Sequence, residues 1–449
     1  METLFLVLFT VILTVFISLD WSIVAALLIG LFLFSLYAKL KGNSLKAIAK
    51  MIIDGAKTSK NILIVFSLVG ILTALWRDCG TIPTIIAYTV DLINPKSFIF
   101  MTFALCCLVS FLIGTSFGSA ATMGVICVTM GMAMGADPVL TGGAMLSGVL
   151  FGDRCSPVST SALLVSELTH TNIYENIRRM FTTAAVPFAV TSVIYIVAGF
   201  FSHTGESKTD IVSLFSKEVI ITPLALIPAA VILILALFKV KTRYSMLCSI
   251  IAAFFVSLFV QKTEITELLS FAVTGYKATL PELSAMLNGG GISSMVRVLL
   301  IVCISSAYSG IFNATGMLTA LIKKLDAMAD KTGSFAVTVF VSIFTSAISC
   351  NQTLAIILSD SLCSKLEKDN KQFAIDLENS VVVIAPLIPW SIAGAVPLTS
   401  AGAPTASLLT AFYLYLLPLY YLIVRRKNPF ISLFTKYQQS IYKNGIHLY

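Results

Sequence analysis

The chain has 449 residues, of which 57% are hydrophobic and only 12% charged, with a mean hydropathy of +0.94, whereas an ordinary globular domain carries roughly 25% charged residues. No stretch is long and polar enough to be a separate soluble domain, so residues 1–449 are expected to form one polytopic membrane domain. The net charge of +8 does not support nucleic-acid binding, because the basic residues lie in short loops between apolar runs, where they set membrane orientation.

Leu4 to Leu19 and Ser22 to Ala38 read as a helical hairpin of two spans, each near the ~20 residues needed to cross the hydrocarbon. The first run lacks a basic flank and a small-residue cleavage site, so it reads as a retained helix, not a signal peptide. Lys39 to Lys60 carries six lysines against Asp54 alone and is expected in the cytoplasm, which places the amino terminus there as well. Asn61 to Trp76 crosses outward, and Arg77–Asp78–Cys79–Gly80 interrupts it; Arg77 and Asp78 are expected to pair with each other at the interface. After Phe98 to Ile113 comes Ser110 to Leu168, apolar yet rich in Gly, Ser, Thr and Pro. Such a stretch predicts helices that break inside the bilayer, which is tolerated where protein buries the backbone or where it lines a cavity.

Arg178–Arg179 marks the cytoplasmic side, Met180 to Phe201 crosses outward, Ser202 to Glu218 is slightly acidic, and Val219 to Phe238 returns to Lys239, Lys241 and Arg243. Tyr244 to Val260 leads to an acidic external segment, Gln261 to Gly291. Met295 to Ile322, Phe335 to Leu362, Phe373 to Leu398 and Ala403 to Val424 follow, and a tail with Arg425, Arg426, Lys427, Lys436 and Lys443 is expected to be cytoplasmic. About ten to thirteen membrane segments result. The nine cysteines fall mostly in apolar runs without metal-ligand spacing and read as buried, reduced side chains.

The chain repeats itself. SFGSAATMGVI from Ser116 lies over AISCNQTLAII from Ala347 at an offset of 231, setting Thr122 on Thr353; Pro157 lies over Pro389 at 232, and Gly80 over Gly316 at 236. Repeat 1 (61–201) begins after a basic segment and repeat 2 (292–424) after an acidic one, so they enter the membrane from opposite sides. The remaining parts are the hairpin and basic segment (1–60), the connecting helices (202–291) and the tail (425–449). The expected architecture is therefore all-α, with two inverted-topology repeats, broken helices and re-entrant hairpins.

Asp153, in FGDRCSP, is costly in the membrane unless it meets a cation, a proton or a partner. A structural ion pair with Arg154 is one answer; a coupling site for Na⁺ or H⁺ is the other, favoured because adjacent helical residues point in different directions. Ser156, Ser159, Thr160 and Ser161 offer hydroxyl oxygens and Pro157 frees backbone carbonyls, a donor set suited to a hard cation. In the second repeat Asn351, Gln352 and Thr353 are either interhelical glue or ion ligands, Glu378 is a surface acid or a second protonatable group, and Trp390 after Pro389 is a packing or a substrate-facing residue.

GDRCSPVSTSALL (Gly152 to Leu164) and ENSVVVIAPLIPW (Glu378 to Trp390) resemble motifs of the NhaC-type Na⁺/H⁺ antiporters, part of the wider ion-transporter superfamily that includes exchangers of malate against lactate. The resemblance spans about Asn61 to Val424. It implies a secondary transporter of the cell membrane that needs no cofactor and carries Na⁺ and H⁺, with a small organic anion or amino acid as the alternative cargo and a homodimer as the assembly entertained. Two positions depart from the family pattern: Thr160 stands where Ser-Asp-Thr is common, and Asn379 where a second acid is common, so the ion stoichiometry does not carry over. No HExxH or GxxxxGK[ST] pattern supports a metalloenzyme or a nucleotide-driven pump, and inverted broken repeats favour alternating access over a channel.

Overall fold

The structure is a computed structural model, described here for residues 2–19, 21–89, 94–201, 211–238, 240–317 and 332–427. Asp20, Lys239, Lys323–Lys324, most of the 202–218 segment and the tail after Lys427 lie outside the described residues. The helices are α1 (Glu2–Ser18), α2 (Ile23–Leu40), α3 (Leu45–Thr58), α4 (Lys60–Asp78), α5 (Thr81–Thr89), α6 (Phe98–Ile113), α7 (Ser116–Ala133), α8 (Pro138–Cys155), α9 (Thr160–Leu168) and α10 (Ile173–Phe201). They continue with α11 (Ile211–Glu218), α12 (Ile227–Leu237), α13 (Thr242–Val256), α14 (Ile265–Thr274), α15 (Gly291–Thr315), α16 (Ser334–Ser349), α17 (Gln352–Cys363), α18 (Asn370–Glu378), α19 (Val381–Ile384), α20 (Ile392–Ala401) and α21 (Phe412–Lys427). Among the described residues the one β pairing is an isolated bridge, Tyr276 to Gly289.

Among the described residues six helices are long and apolar enough to cross a membrane alone, and up to nine spans result if each bent helix pair counts as one. The ten to thirteen segments read from the sequence are reached by counting shorter apolar helices, such as α6, α16 and α17, as partial spans. Those helices stop at backbone breaks with local causes. After α6, Gly114 takes a left-handed conformation (φ 72°) and Thr115 an extended one before α7 starts. After α16, Cys350 is left-handed (φ 55°), unusual for a residue with a Cβ, and Asn351 is extended before α17. Each break leaves carbonyls of one helix and N–H groups of the next facing the same short gap.

These breaks correct the repeat register. Gly114–Thr115 matches Cys350–Asn351 at an offset of 236 (114 to 350), the same offset that relates Gly80 to Gly316, and not at 231. Thr122 therefore has no structural equivalence with Thr353. The later match stands: Ser159 caps α9 and Ser391 caps α20, 232 residues apart (159 to 391), each accepting a bond from the backbone of the helix it opens.

The equivalent helices α4 and α15 run antiparallel. A Cβ on Gly290 would lie 2.5 Å from the backbone nitrogen of Ala74, near the end of α4, whereas one on Gly310 would strike the Met51 carbonyl in α3, just before α4 begins. Close backbone approach through small residues is the membrane mode of helix packing. The contacts across the repeats are reciprocal: α7 packs on α20, and α17 packs on α9. Antiparallel equivalents with exchanged contacts are what an inverted pair produces. The amino-terminal hairpin covers repeat 2, with Phe9 and Phe34 meeting Tyr308 of α15.

Polar links gather the loops into two groups. Lys371 and Arg179 both bind Glu175, at 2.9 and 3.1 Å, while Arg425 binds Glu367 at 2.6 Å and Asp376 at 2.9 Å. Elsewhere Gln261 bridges the carbonyls of Cys79 and Ile220, and Glu218 accepts from Tyr276, Thr279 and Leu280.

Candidate functional site

Asp153 lies in the last turn of α8 and is 5% exposed. Pro157 cannot continue the helix, so the chain leaves α8 at Ser156 and re-enters a helix at Ser159. The Ser159 hydroxyl donates to Asp153 Oδ1 at 2.8 Å and accepts from the Ala162 backbone at 3.3 Å, with Ser161 Oγ 2.9 Å away. From the other side, the hydroxyl and backbone N–H of Ser116, the first residue of α7, approach the same carboxylate. Asp153 thus faces the starts of two half-helices, where N–H groups and helix dipoles are positive. Ser156 is buried beside it, its Oγ accepting from Val158 N at 3.4 Å; Thr160 is exposed and lies outside the buried cluster.

Arg154 is not the ion-pair partner of Asp153. It is fully buried, and its Nε donates to the Glu378 carbonyl at 3.1 Å while Nη2 donates to Asn379 Oδ1 and, at 3.4 Å, to Thr183 Oγ1. Its Nη1 reaches the Met180 carbonyl at 3.5 Å and Tyr413 Oη at 3.4 Å. The guanidinium therefore ties repeat 1 to the carboxyl end of α18, the end of a helix that attracts cations. One residue of rotation on α8 separates the two charges into different surroundings.

The second break is built from amides. Asn351 Oδ1 accepts from Thr353 N at 2.9 Å, and Gln352 Nε2 donates to the Val382 carbonyl at 2.7 Å. That carbonyl is the one Pro386, four residues on, leaves without a helical donor. Trp390 Nε1 donates to the Ala347 carbonyl at 2.7 Å, in the last turn of α16. Thr353 and Pro389 are exposed. Asn351, Gln352 and Trp390 hold the break itself, and all their identified bonds go to backbone.

Glu378 and Asn379 are wholly buried, not at a surface; among the described residues neither carboxylate oxygen of Glu378 has a hydrogen-bond partner, nor does Asn379 Nδ2. Glu378 lies within electrostatic reach of Arg154 and Asp153. Thr122, by contrast, bonds the Gly118 carbonyl of its own helix at 2.8 Å, within a π-helical turn (Ala120–Gly124). It borders an apolar cavity of about 200 Å³ lined also by Trp76, Phe98, Ile126 and Met130, a poor setting for an ion. Arg77 and Asp78 do not pair: Arg77 Nη1 donates to the Thr73 carbonyl at 2.8 Å, and Asp78 Oδ1 accepts from Thr263 at 3.2 Å. Both are buried beside the Gln261 and Ile220 loops.

The sequence reading missed Ser116 as a neighbour of Asp153, and it missed Asp376. The latter is fully buried and bonded to Arg425, Tyr421 and Gln372. The signal for Ser116 was its place directly after Gly114–Thr115, a glycine and two hydroxyls interrupting an apolar run. Asp376 carried a weaker one, its spacing of two from Glu378.

A helical membrane domain with antiparallel equivalent helices and matched backbone breaks is an architecture that many secondary transporters use. The family description "Na+/H+ antiporter family" matches residues 2–167 and 148–425, and the chain belongs to that family. A protein of Haemophilus influenzae named as an uncharacterized Na⁺/H⁺ antiporter is 31% identical over 373 residues, covering 79% of each chain. The Na⁺/H⁺ antiporter NhaC of Alkalihalophilus pseudofirmus is 27% identical over 397 residues, 86% of this chain and 85% of the relative. The malate-2H⁺/Na⁺-lactate antiporter of Bacillus subtilis is 26% identical over 408 residues, 88% and 87% respectively.

Proposed function

We propose that the protein exchanges Na⁺ for H⁺ by alternating access, with Asp153 binding either ion and Ser116, Ser156 and Ser159 supplying oxygens to the cation. One observation carries this reading: Asp153 is buried at two helix starts with serine partners and, among the described residues, no cationic partner, while the arginine next to it is committed elsewhere. A carboxylate removed from water must be neutralised by a proton or a cation, and competition between the two for one group is sufficient for obligatory exchange. Asn351, Gln352 and Trp390 brace the opposite break, across which the repeats rock.

Competition sets the sign of the pH effect. Lowering pH on the Na⁺-loading side raises the proton occupancy of Asp153 and so raises the Na⁺ concentration for half-maximal exchange. In proteoliposomes with an imposed Na⁺ gradient, Asp153→Asn abolishes Na⁺-driven change in lumenal pH, and Asp78→Asn leaves most of it. Full exchange by Asp153→Asn with an unchanged pH profile would show that Asp153 is structural.

A second cargo reading comes from the relative that exchanges malate against lactate: Na⁺- or H⁺-coupled movement of a small organic acid or amino acid through the same site. Adding such solutes to the same assay distinguishes it, since a coupled solute accelerates the pH change and an uncoupled one does not.

For orientation in the cell membrane, we propose Lys39–Lys60, Lys239–Arg243 and the tail beyond Arg425 inside, with both termini, and Gln261–Gly291 outside. The separate polar groups joining Glu175 with Lys371 and Glu218 with Thr279 support it. In a cysteine-free background, an impermeant thiol reagent added to cells labels a cysteine at Thr279 and spares one at Lys50; labelling at Lys50 reverses the assignment.

A further inference from the structure

Glu378 has the side-chain setting that the Asp153 site does not explain. Its carboxylate is fully buried and neither oxygen has a hydrogen-bond partner among the described residues, while two hydroxyls of the surrounding elements are engaged: Ser380 Oγ donates to the Asp376 carbonyl at 2.6 Å and Thr183 Oγ1 to the Met180 carbonyl at 3.1 Å. A hard metal cation needs several converging oxygens, and among the described residues no group of three or more His, Cys, Asp or Glu side chains is placed to hold one. Arg154, pinned to the carbonyl of Glu378 itself at 3.1 Å, also repels a metal ion. A proton needs a single lone pair, and once it leaves, Arg154 is the countercharge that keeps the carboxylate from standing bare in the core.

We propose that Glu378 is a proton-only site, distinct from the cation site at Asp153, so that two protons move for each Na⁺. The proposal rests on exchange at Asp153. The other charged and titratable groups around it are accounted for. Asp153, Arg154 and Cys155 of α8 lie within electrostatic reach of it, and Tyr413 of α21 is bonded to Arg154. Asp376, on its own helix, is turned to Arg425, and Glu175 at the start of α10 is turned to Lys371 and Arg179. The charges balance. With both acids ionised and Arg154 positive the set carries −1; Na⁺ on Asp153 brings it to zero, and two protons, one on each carboxylate, bring it to +1. One turnover therefore transfers one net positive charge in the proton direction.

The test is stoichiometry in proteoliposomes of the full chain, from the membrane voltage, set with K⁺ and valinomycin, at which Na⁺ flux reverses. Wild type reverses at the voltage for two protons per Na⁺, and Glu378→Gln exchanges one for one and no longer responds to voltage. A one-to-one wild type, or two protons per Na⁺ in Glu378→Gln, overturns the proposal. So does a Glu378→Gln protein that inserts and is still thermally stabilised by Na⁺ yet has lost exchange, because Glu378 would then be obligatory to the cation step. Absence of any Na⁺-driven proton movement in wild type contradicts the exchange at Asp153 instead, which keeps the two failures apart.

Discussion

The two helix breaks share a backbone and differ in chemistry. Gly114–Thr115 and Cys350–Asn351 have the same left-handed then extended course, and Ser159 and Ser391 cap the half-helices that follow at equivalent positions. Yet where repeat 1 has Asp153, repeat 2 has Ala385 (153 to 385, offset 232), and where repeat 1 opens α7 with Ser116, repeat 2 opens α17 with Gln352 (116 to 352, offset 236). The second break satisfies itself, with Asn351, Gln352 and Trp390 each bonded to backbone. The first leaves a carboxylate held by serines. In the exchange proposed above, the symmetric scaffold would supply the motion and the asymmetric side chains the site.

That contrast can be broken at its base by forcing repeat 2 away from the α3 segment that precedes repeat 1. Gly310→Leu drives a side chain into the α3 backbone at Met51 and Gly55; overpacking of this kind costs about 1–3 kcal/mol or more, and the yield of folded, inserted protein falls severalfold, read by size-exclusion fluorescence. At the self-satisfied break, Gln352→Ala leaves the Val382 carbonyl buried without its donor, at a cost of about 1–3 kcal/mol. The thermal midpoint drops while the Na⁺ concentration for half-maximal exchange stays within about twofold, since the residue acts through the backbone.

At the charged break the effects invert. Ser159→Ala removes a helix cap worth about 1 kcal/mol and also the hydroxyl on Asp153, so half-maximal Na⁺ rises about tenfold, one lost contact of about 1.4 kcal/mol, with a modest fall in thermal midpoint. Thr122→Val is the smallest change. Among the described residues its hydroxyl bonds only within its own helix, and exchange stays within about twofold of wild type by the same flux assay.

Much of this organisation was legible in the sequence because it is written in composition and spacing. Apolar runs interrupted by Gly, Ser and Pro located the broken stretch, and Pro157 and Pro389 gave the correct later register. The earlier register slipped by five residues because letter similarity, Thr122 on Thr353, was weighed above the element that fixes backbone shape, and Cys350 does not look like a glycine. Side-chain direction was the other gap. Asp153 and Arg154, like Arg77 and Asp78, are neighbours in the chain, but a helix turns about 100° per residue, and which partners await each of them is set by helices far off in sequence, such as α18 for Arg154. Thr160 was grouped with the serines by proximity alone, and the turn after Pro157 points it outward.

On the proposed mechanism the charged break binds the transported cation and the matched break does not. The most direct measurement is ²²Na⁺ binding to purified protein as a function of pH, comparing wild type, Asp153→Asn and Gln352→Ala. Wild type and Gln352→Ala should bind Na⁺ with protons as competitors, and Asp153→Asn should bind none; saturable, pH-dependent Na⁺ binding by Asp153→Asn would contradict the claim.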